Sequence, residues 1–329
     1  MRILITGGGG FLGRVLARRL LSLGSLTGSS GAPEPIDNLV LFDVAHPPGN
    51  GGGDPRVNLV TGNVGDGEQL RHIVGGDDLA VFHLASMVSA GCEADFDGAL
   101  EVNLDGTRAV LEACRATRSF ARVVFTSSIA AFGGEGAKAT VTDNTKLTPE
   151  TTYGVTKAIC ELLVNDYTRK GFLDGRSARL PTVVIRPGRP NAAASSWVSG
   201  LFREPLVGEE GVVPVHPSTR VPICSYGVVV ENLIKLYEAD GTSLGADRAL
   251  NLPAIAVTPQ EMIDGLRAAT TRPLGPISFR IDPTIDGIFA SWAQRSSFER
   301  ATSLGMAADE GVEEIVRAYV ADYLSPSSG

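Results

Sequence analysis

The sequence predicts an α/β fold, a doubly wound parallel sheet with a smaller mixed α/β C-terminal lobe. Three observations predict it. Apolar runs rich in β-branched residues alternate with helical patterns through the first half, a glycine cluster separates the first run from the first helix, and beyond about residue 188 the alternation changes character. Continuous apolar runs suit strands covered on both faces, as helical crossovers cover a parallel sheet. With 329 residues the chain is long enough for about two cores, at roughly 150 residues each.

The runs lie at 2–5, 39–44, 57–61, 79–85, 122–126 and 182–186. After the first, Leu12, Val15, Leu16, Leu20 and Leu23 recur at helical spacing and stop at Gly24, a residue suited to ending a helix. Further helices are expected at about 97–116 and 151–170, and turn-rich loops at 25–36 and 45–55. In the second half, helices are expected at 225–239, 258–270 and 309–324, with short strands near 248–252 and 276–281. Thr258-Pro-Gln-Glu261 fits a capping box with proline in the first helical position.

Composition narrows the function. A net charge of −8 provides no field to draw in nucleic acid. Four well-separated cysteines (Cys92, Cys114, Cys160 and Cys224) and four histidines fall in no metal-ligand pattern, so no metal is expected, and the thiols read as buried apolar groups in a reducing compartment. No run approaches the ~20 apolar residues of a membrane span, and the first strand follows the initial methionine with no apolar leader, so a cytoplasmic protein is expected.

Thr6-Gly-Gly-Gly-Gly-Phe-Leu-Gly13 joins the first strand to the first helix. Gly7, Gly10 and Gly13 allow a tight turn, close approach of a pyrophosphate and helix-on-sheet packing, with the Phe11 and Leu12 amides aimed at the phosphates from the positive helix end. Four glycines are also compatible with an ordinary turn; the strand before and the helix after favour the cradle. Asp43, ending the next long run, can accept the ribose hydroxyls of NAD and would repel the 2′-phosphate of NADP; it can equally start a turn. Tyr153 and Lys157 stand four apart on one helix face, where an ammonium can favour a phenolate. An isolated pair of this kind is often exposed, but Ser127 and Ser128 end the fifth run, at the edge where such sheets bind ligands.

These motifs, with His83-Leu-Ala-Ser86, Val102-Asn-x-x-Gly-Thr107, Phe125-Thr-Ser-Ser128 and Ile185-Arg-Pro-Gly188, resemble the extended short-chain dehydrogenases/reductases of the NAD-dependent epimerase/dehydratase group. The resemblance runs the length of the chain. It implies a Rossmann NAD-binding domain over 1–188 and a substrate-binding lobe over 189–329, whose elements can interleave. It implies Tyr153 as acid/base, Lys157 as its electrostatic partner and ribose ligand, Ser128 as the hydroxyl that orients the substrate oxygen, and Ser127 on the nicotinamide side. Asn63 and Val64 are expected at the adenine, Leu84, Ala85 and Ser86 along the cofactor cleft, Asn103 as a brace, and Pro187 and Gly188 beside the nicotinamide. Asn63 stands where the family has Asp, and Phe132 where it commonly has Tyr. Relatives also pair as homodimers through the helices at 97–116 and 151–170.

Within the family, 4,6-dehydratases carry an Asp-Glu pair where this chain has Ile129 and Ala130, so the resemblance argues against that reaction. The segment Arg186–Ser196, dense in small polar groups, suits a compact polyhydroxy acid: Asn191, Ser195 and Ser196 would read hydroxyls, and Arg189 or Arg220 would clamp a carboxylate. A structural loop with a helix cap is the alternative reading of that segment. Together with 162–176 and 202–210 it is similar to a subgroup that uses NAD to oxidise the C2 hydroxyl of D-erythronate to the 2-keto acid. A nucleotide-sugar epimerase with tightly held NAD, and a non-catalytic NAD-binding protein, are the alternatives.

Overall fold

The computed structural model describes residues 1–47, 53–75, 79–117, 119–189 and 193–325. Strand β1 (Arg2–Thr6) leads into helix α1 (Phe11–Leu23), which buries Leu16, Ala17 and Leu20 and ends at Gly24 with φ 75°. A small antiparallel hairpin, β2 (Ser25–Thr27) and β3 (Pro33–Pro35), occupies the stretch expected as loop. The chain continues through β4 (Asn38–Asp43), β5 (Val57–Thr61), α2 (Gly67–Ile73) and β6 (Leu79–His83). Helix α3 (Ser89–Ala94) follows, and the helix expected near 97–116 is divided into α4 (Phe96–Ala99), a π-helical turn (Leu100–Asp105) and α5 (Gly106–Ala116). There follow β7 (Arg122–Ser128), α6 (Gly134–Ala137), α7 (Thr152–Arg169), β8 (Asp174–Leu180), β9 (Thr182–Val184), α8 (Ser196–Leu206), β10 (Gly211–Val213), β11 (Val221–Ser225), α9 (Tyr226–Glu238), α10 (Gly241–Leu244) and β12 (Ala249–Asn251). The last part comprises β13 (Ile255–Val257), α11 (Pro259–Ala269), β14 (Ile277–Phe279), α12 (Pro283–Ser291), α13 (Glu299–Ser303) and α14 (Val312–Tyr323). Helix α11 starts with the expected capping box, Thr258 and Glu261 bonding reciprocally.

The chain forms two compact units: Met1–Ala131 with Thr151–Arg179 and Val230–Leu250, and Phe132–Glu150 with Leu180–Val229 and Asn251–Gly329. The first is built on a seven-stranded sheet of order β12-β8-β7-β6-β1-β4-β5, parallel across its β7-to-β5 part. From β1 the chain steps outward to β4 and β5 and returns to β6 on the other side of β1. That reversal opens a crevice at the carboxyl ends of β1 and β6, where a doubly wound sheet receives a ligand. The second unit contains a three-stranded sheet, β13-β11-β9, and the parallel pair β10-β14.

Three expectations change. The run at 182–186 supplies β9 of the smaller sheet, and the strand after β7 is β8, where the buried Arg176 and Arg179 interrupt the apolar pattern. The strand expected in the C-terminal lobe near 248–252 is β12, at the edge of the large sheet. Strand β5 is the opposite edge and is largely exposed instead of covered on both faces. Of the loop expected at 45–55, residues 48–52 lie outside the described residues.

Candidate active site

The glycine loop is shaped by close approach. A Cβ on Gly13 would lie 2.4 Å from the Gly7 carbonyl oxygen, and one on Gly7, itself at φ +72°, would lie 2.8 Å from the Ala85 amide. The loop is therefore pressed between its own helix and the chain leaving β6. Gly10 caps α1 without a side-chain bond and no acidic residue sits in the first turn, so the helix presents its positive end at the crevice. Asp43 closes the other side: its Oδ2 accepts the Gly9 amide at 2.9 Å. A helix end without acidic side chains, a backbone that only glycine can follow, and a carboxylate at the neighbouring strand end fit NAD.

Other expected cofactor residues fall around the same crevice in different states. Asn63 is exposed; its Oδ1 accepts the Gly65 amide and its Nδ2 donates to Glu101. Val64 turns its side chain into the core. Leu84 and Ala85 back Gly7, and the Ser86 hydroxyl donates to Asn103 Oδ1 at 3.1 Å. Asn103, buried in the π-helical turn, also accepts the Met87 amide at 2.7 Å and donates to the Met87 carbonyl and to Thr156 Oγ1. It ties the 86–87 loop to α7.

Helix α7, capped by the Thr151 side chain, brings Tyr153 and Lys157 to the end of β7. Tyr153 is half-buried. Burial pushes its phenol up to about 12, partly offset by a hydrogen bond from Ser128. The Ser128 Oγ accepts the Ala130 amide at 3.1 Å. Lys157 is buried; its Nζ donates to the Thr126 carbonyl at 2.8 Å and lies 4.8 Å from the Phe125 ring centre and 5.5 Å from that of Tyr153. Burial lowers its ammonium to about 8. Ser127, also buried, turns away from the phenol and donates to Glu161 Oε1 at 2.5 Å. Glu161 is held by Arg179 at 2.7 Å.

Beneath these lies a buried relay that the sequence did not single out. Thr107 Oγ1 donates to the Asn103 carbonyl at 2.6 Å, so it accepts from His83 Nε2 at 2.9 Å; His83 Nδ1 then accepts from Thr6 Oγ1 at 2.6 Å. Burial, assisted by the charge of Lys157, lowers the imidazole to about 3 and keeps it neutral. In the sequence, His83 stands out only as the first residue of His83-Leu-Ala-Ser86. Glu161 could have been found by its spacing, one helical turn beyond Lys157.

Arg189, Ser195, Ser196 and Arg220, like Pro187 and Gly188, belong to the second unit, whereas Ser128 belongs to the first. Pro187 is half-buried, and Gly188, at φ +81°, has open space around a notional Cβ, so its backbone angle and not crowding calls for glycine. Arg189 is exposed and makes no ion pair among the described residues, whereas Arg220 donates to the Ala256 carbonyl at 2.8 Å and pairs with Glu261 at 3.4 Å. Asn191 lies outside the described residues. Ser195 precedes α8 without making a side-chain cap bond, and Ser196 opens the helix. Ile129 and Ala130 are buried in a 3₁₀ turn, and Phe132 packs with Ala137, Val141 and Ala293, an apolar setting that would leave a tyrosine hydroxyl poorly served.

Among the described residues, no three metal-binding side chains cluster, and no helix is long and apolar enough to cross a membrane. A family model described as the NAD dependent epimerase/dehydratase family matches residues 3–219. A D-erythronate dehydrogenase of Cupriavidus necator is 45% identical over 323 residues, covering 98% of each chain. One from Haemophilus influenzae is 41% identical, covering 97% of this chain and 99% of its own. A crystal structure described as a nucleoside-diphosphate-sugar epimerase from Agrobacterium tumefaciens superimposes with TM-score 0.88 at 38% identity, over 98% of this chain and 94% of that one. With the glycine loop, Asp43 and the Ser128-Tyr153-Lys157 cluster on one sheet edge, the chain belongs to the NAD dependent epimerase/dehydratase family.

Proposed function

We propose that the protein is an NAD-dependent dehydrogenase that oxidises the C2 hydroxyl of D-erythronate to 2-keto-D-erythronate. The observation that carries this reading is the similarity to two D-erythronate dehydrogenases over nearly the full length of both partners. The site chemistry supports it. Ser128 orients the substrate oxygen, and Tyr153, as phenolate, removes the hydroxyl proton. Lys157 provides the positive charge that makes the phenolate accessible. When bound, NAD supplies the hydride acceptor and a positive ring charge near the phenol. Gly7, Gly10, Phe11, Leu12 and Gly13 hold its pyrophosphate and Asp43 its ribose hydroxyls. Asn63, Val64, Leu84, Ala85, Ser86, Asn103, Ser127, Pro187 and Gly188 complete that binding set. Arg189, exposed and without an ion pair among the described residues, is better suited than Arg220 to clamp the substrate carboxylate, with Asn191, Ser195 and Ser196 reading its hydroxyls.

Exposed Val155, Ile159 and Leu162 recur on one face of α7, and Phe96 is exposed on the neighbouring α4. This apolar stripe supports a homodimer formed through these helices. All four cysteines are buried and free, which supports a reducing, cytoplasmic setting.

Mixing protein, NAD and D-erythronate is expected to raise NADH absorbance; silence across four- to six-carbon sugar acids overturns the reading. Tyr153→Phe is expected to keep its NAD affinity and lose at least about 100-fold in kcat, as removal of a general base does. The epimerase name of the Agrobacterium tumefaciens structure favours a second reading, in which NAD stays bound through gel filtration and no net NADH forms.

A further inference from the structure

Lys157 is a buried cation with no carboxylate in ion-pair contact among the described residues. Among the described residues its hydrogen bond goes to the Thr126 carbonyl. Charge at such a place depends on what surrounds it, because burial favours the neutral amine. On α7 itself the titratable neighbours are Tyr153, Cys160 and Glu161; α3 contributes Cys92 and β6 contributes His83. Strand β7 and the π-helical turn contribute Phe125, Thr126, Ser127, Ser128 and Asn103, none of which ionises. Acids of the adjacent elements are engaged elsewhere: Glu93 with the Thr152 amide, Asp95 with the Gly98 amide, Glu101 with Asn63, Asp105 with Arg108, and Glu112 with Tyr167 and Arg115.

Four of the five neighbours are uncharged near neutrality. Burial pushes the Cys92 and Cys160 thiols up, the Tyr153 phenol up to about 12 and the His83 imidazole down to about 3. Glu161 is different. It follows Lys157 by one helical turn, so the two side chains share a face. Its Oε1 accepts from Ser127 at 2.5 Å, and Arg179 binds both carboxylate oxygens, Nε at 3.0 and 3.1 Å and Nη2 at 2.7 Å. The carboxylate and guanidinium are both buried. Ser127 is the residue after the Thr126 carbonyl that receives the Lys157 ammonium, so two residues of one α7 face hold the same strand end.

We propose that Glu161 is a positioning residue for this reaction: anchored by Arg179 and Ser127, it supplies the one negative charge that keeps the buried Lys157 protonated at neutral pH. It touches neither substrate nor cofactor and acts through Lys157 and the end of β7. The proposal rests on the dehydrogenase reading for its consequence in catalysis but not for its test.

The chain has five lysines (Lys138, Lys146, Lys157, Lys170 and Lys235), so a full-length protein labelled with ¹³C at lysine Cε gives a resolvable titration, with the Lys157 signal assigned by its loss in Lys157→Met. The unmodified protein should show one lysine with a midpoint at about 8. In Glu161→Gln, which removes the anion and strands Arg179, that midpoint is expected to fall by about one pH unit, while Glu161→Asp, which keeps the charge, should hold it in place. The alkaline limb of kcat/KM with D-erythronate should move with the midpoint. Should Glu161→Gln fail to fold, the double variant Glu161→Gln/Arg179→Met, which removes the anion one helical turn from Lys157 together with its counter-cation on β8, should lower the midpoint by a smaller amount. A Lys157 midpoint unmoved in the folded variant overturns the proposal. Absence of NADH formation by the unmodified protein counts against the dehydrogenase reading alone, and the lysine titration still decides the role of Glu161.

Discussion

His83 carries one proton, and the surrounding hydroxyls fix it on Nε2, since Thr107 must accept and Thr6 must donate. Burial, and after it the charge of Lys157, opposes a second proton, which places the group at about 3, and that proton would also displace the Thr6 hydrogen from Nδ1. In the unfolded chain the same imidazole titrates near about 6.5. Between these values the unfolded state binds the extra proton and the native state does not, so stability is lost as pH falls through that window, by at most about 1.4 kcal/mol per pH unit. Urea unfolding of the wild type and His83→Asn between pH 7 and pH 5 tests this: the gap between the two proteins is expected to narrow toward the acid end. A gap that stays constant removes His83 as the cause. Tyr153, Lys157, Ser128 and Asp43 were legible in the sequence because their spacing within a helix, or their place at the end of a run, survives in one dimension. His83 and Arg179 were not, because their partners Thr6, Thr107 and Glu161 lie on other elements and only folding brings them together.

At the scale of elements, β8 shows why a strand escaped notice. Its sequence, Asp174-Gly-Arg-Ser-Ala-Arg-Leu180, has no apolar run, yet Arg176 and Arg179 are buried. Asp174 takes Arg122 at 3.0 Å, Arg248 at 2.6 Å and Arg176, and Arg176 also donates to the carbonyls of Leu236, Tyr237 and Ala239 at the end of α9. Burial lowers Arg176 to about 10, and its three arginine neighbours hold the Asp174 carboxyl below the usual range against its own burial. Hydropathy periodicity is blind to a strand whose inward side chains are charged and paired. Asp174→Asn leaves three guanidinium groups competing for a neutral amide, and a loss of about 3–5 kcal/mol in denaturant unfolding is expected. The glycine loop makes a complementary prediction. Gly13→Ala drives a methyl group to 2.4 Å from the Gly7 carbonyl oxygen, which must shift the loop. A stability loss of about 1–3 kcal/mol and weakened NAD binding are expected, read by thermal melts with and without NAD.

At the scale of the whole molecule, the stripe on α7 offers a direct check on assembly. Leu162 is 66% exposed and Phe96 59%. Replacing Ile159 and Leu162 together with glutamate is expected to convert the proposed dimer to a monomer in sedimentation with the fold retained by circular dichroism; an unchanged sedimentation coefficient excludes this face. The doubly wound class was legible from the alternation of runs. The assignment of β9 and β12 was not, because three-residue strands carry no periodicity and either sheet can accept them. The strand order carries a further consequence for synthesis. Strand β8 acquires its outer neighbour only when β12 arrives, and the Ser177 amide waits for the Arg248 carbonyl. A chain leaving the ribosome N-terminus first therefore exposes β8 as an unsatisfied edge through all the residues between 180 and 249, with Arg176 also lacking its carbonyl partners until residues 236–239 are made. A truncation ending in that interval would lack the strand that closes this sheet edge, and would be a target for chaperones in place of a smaller NAD-binding domain.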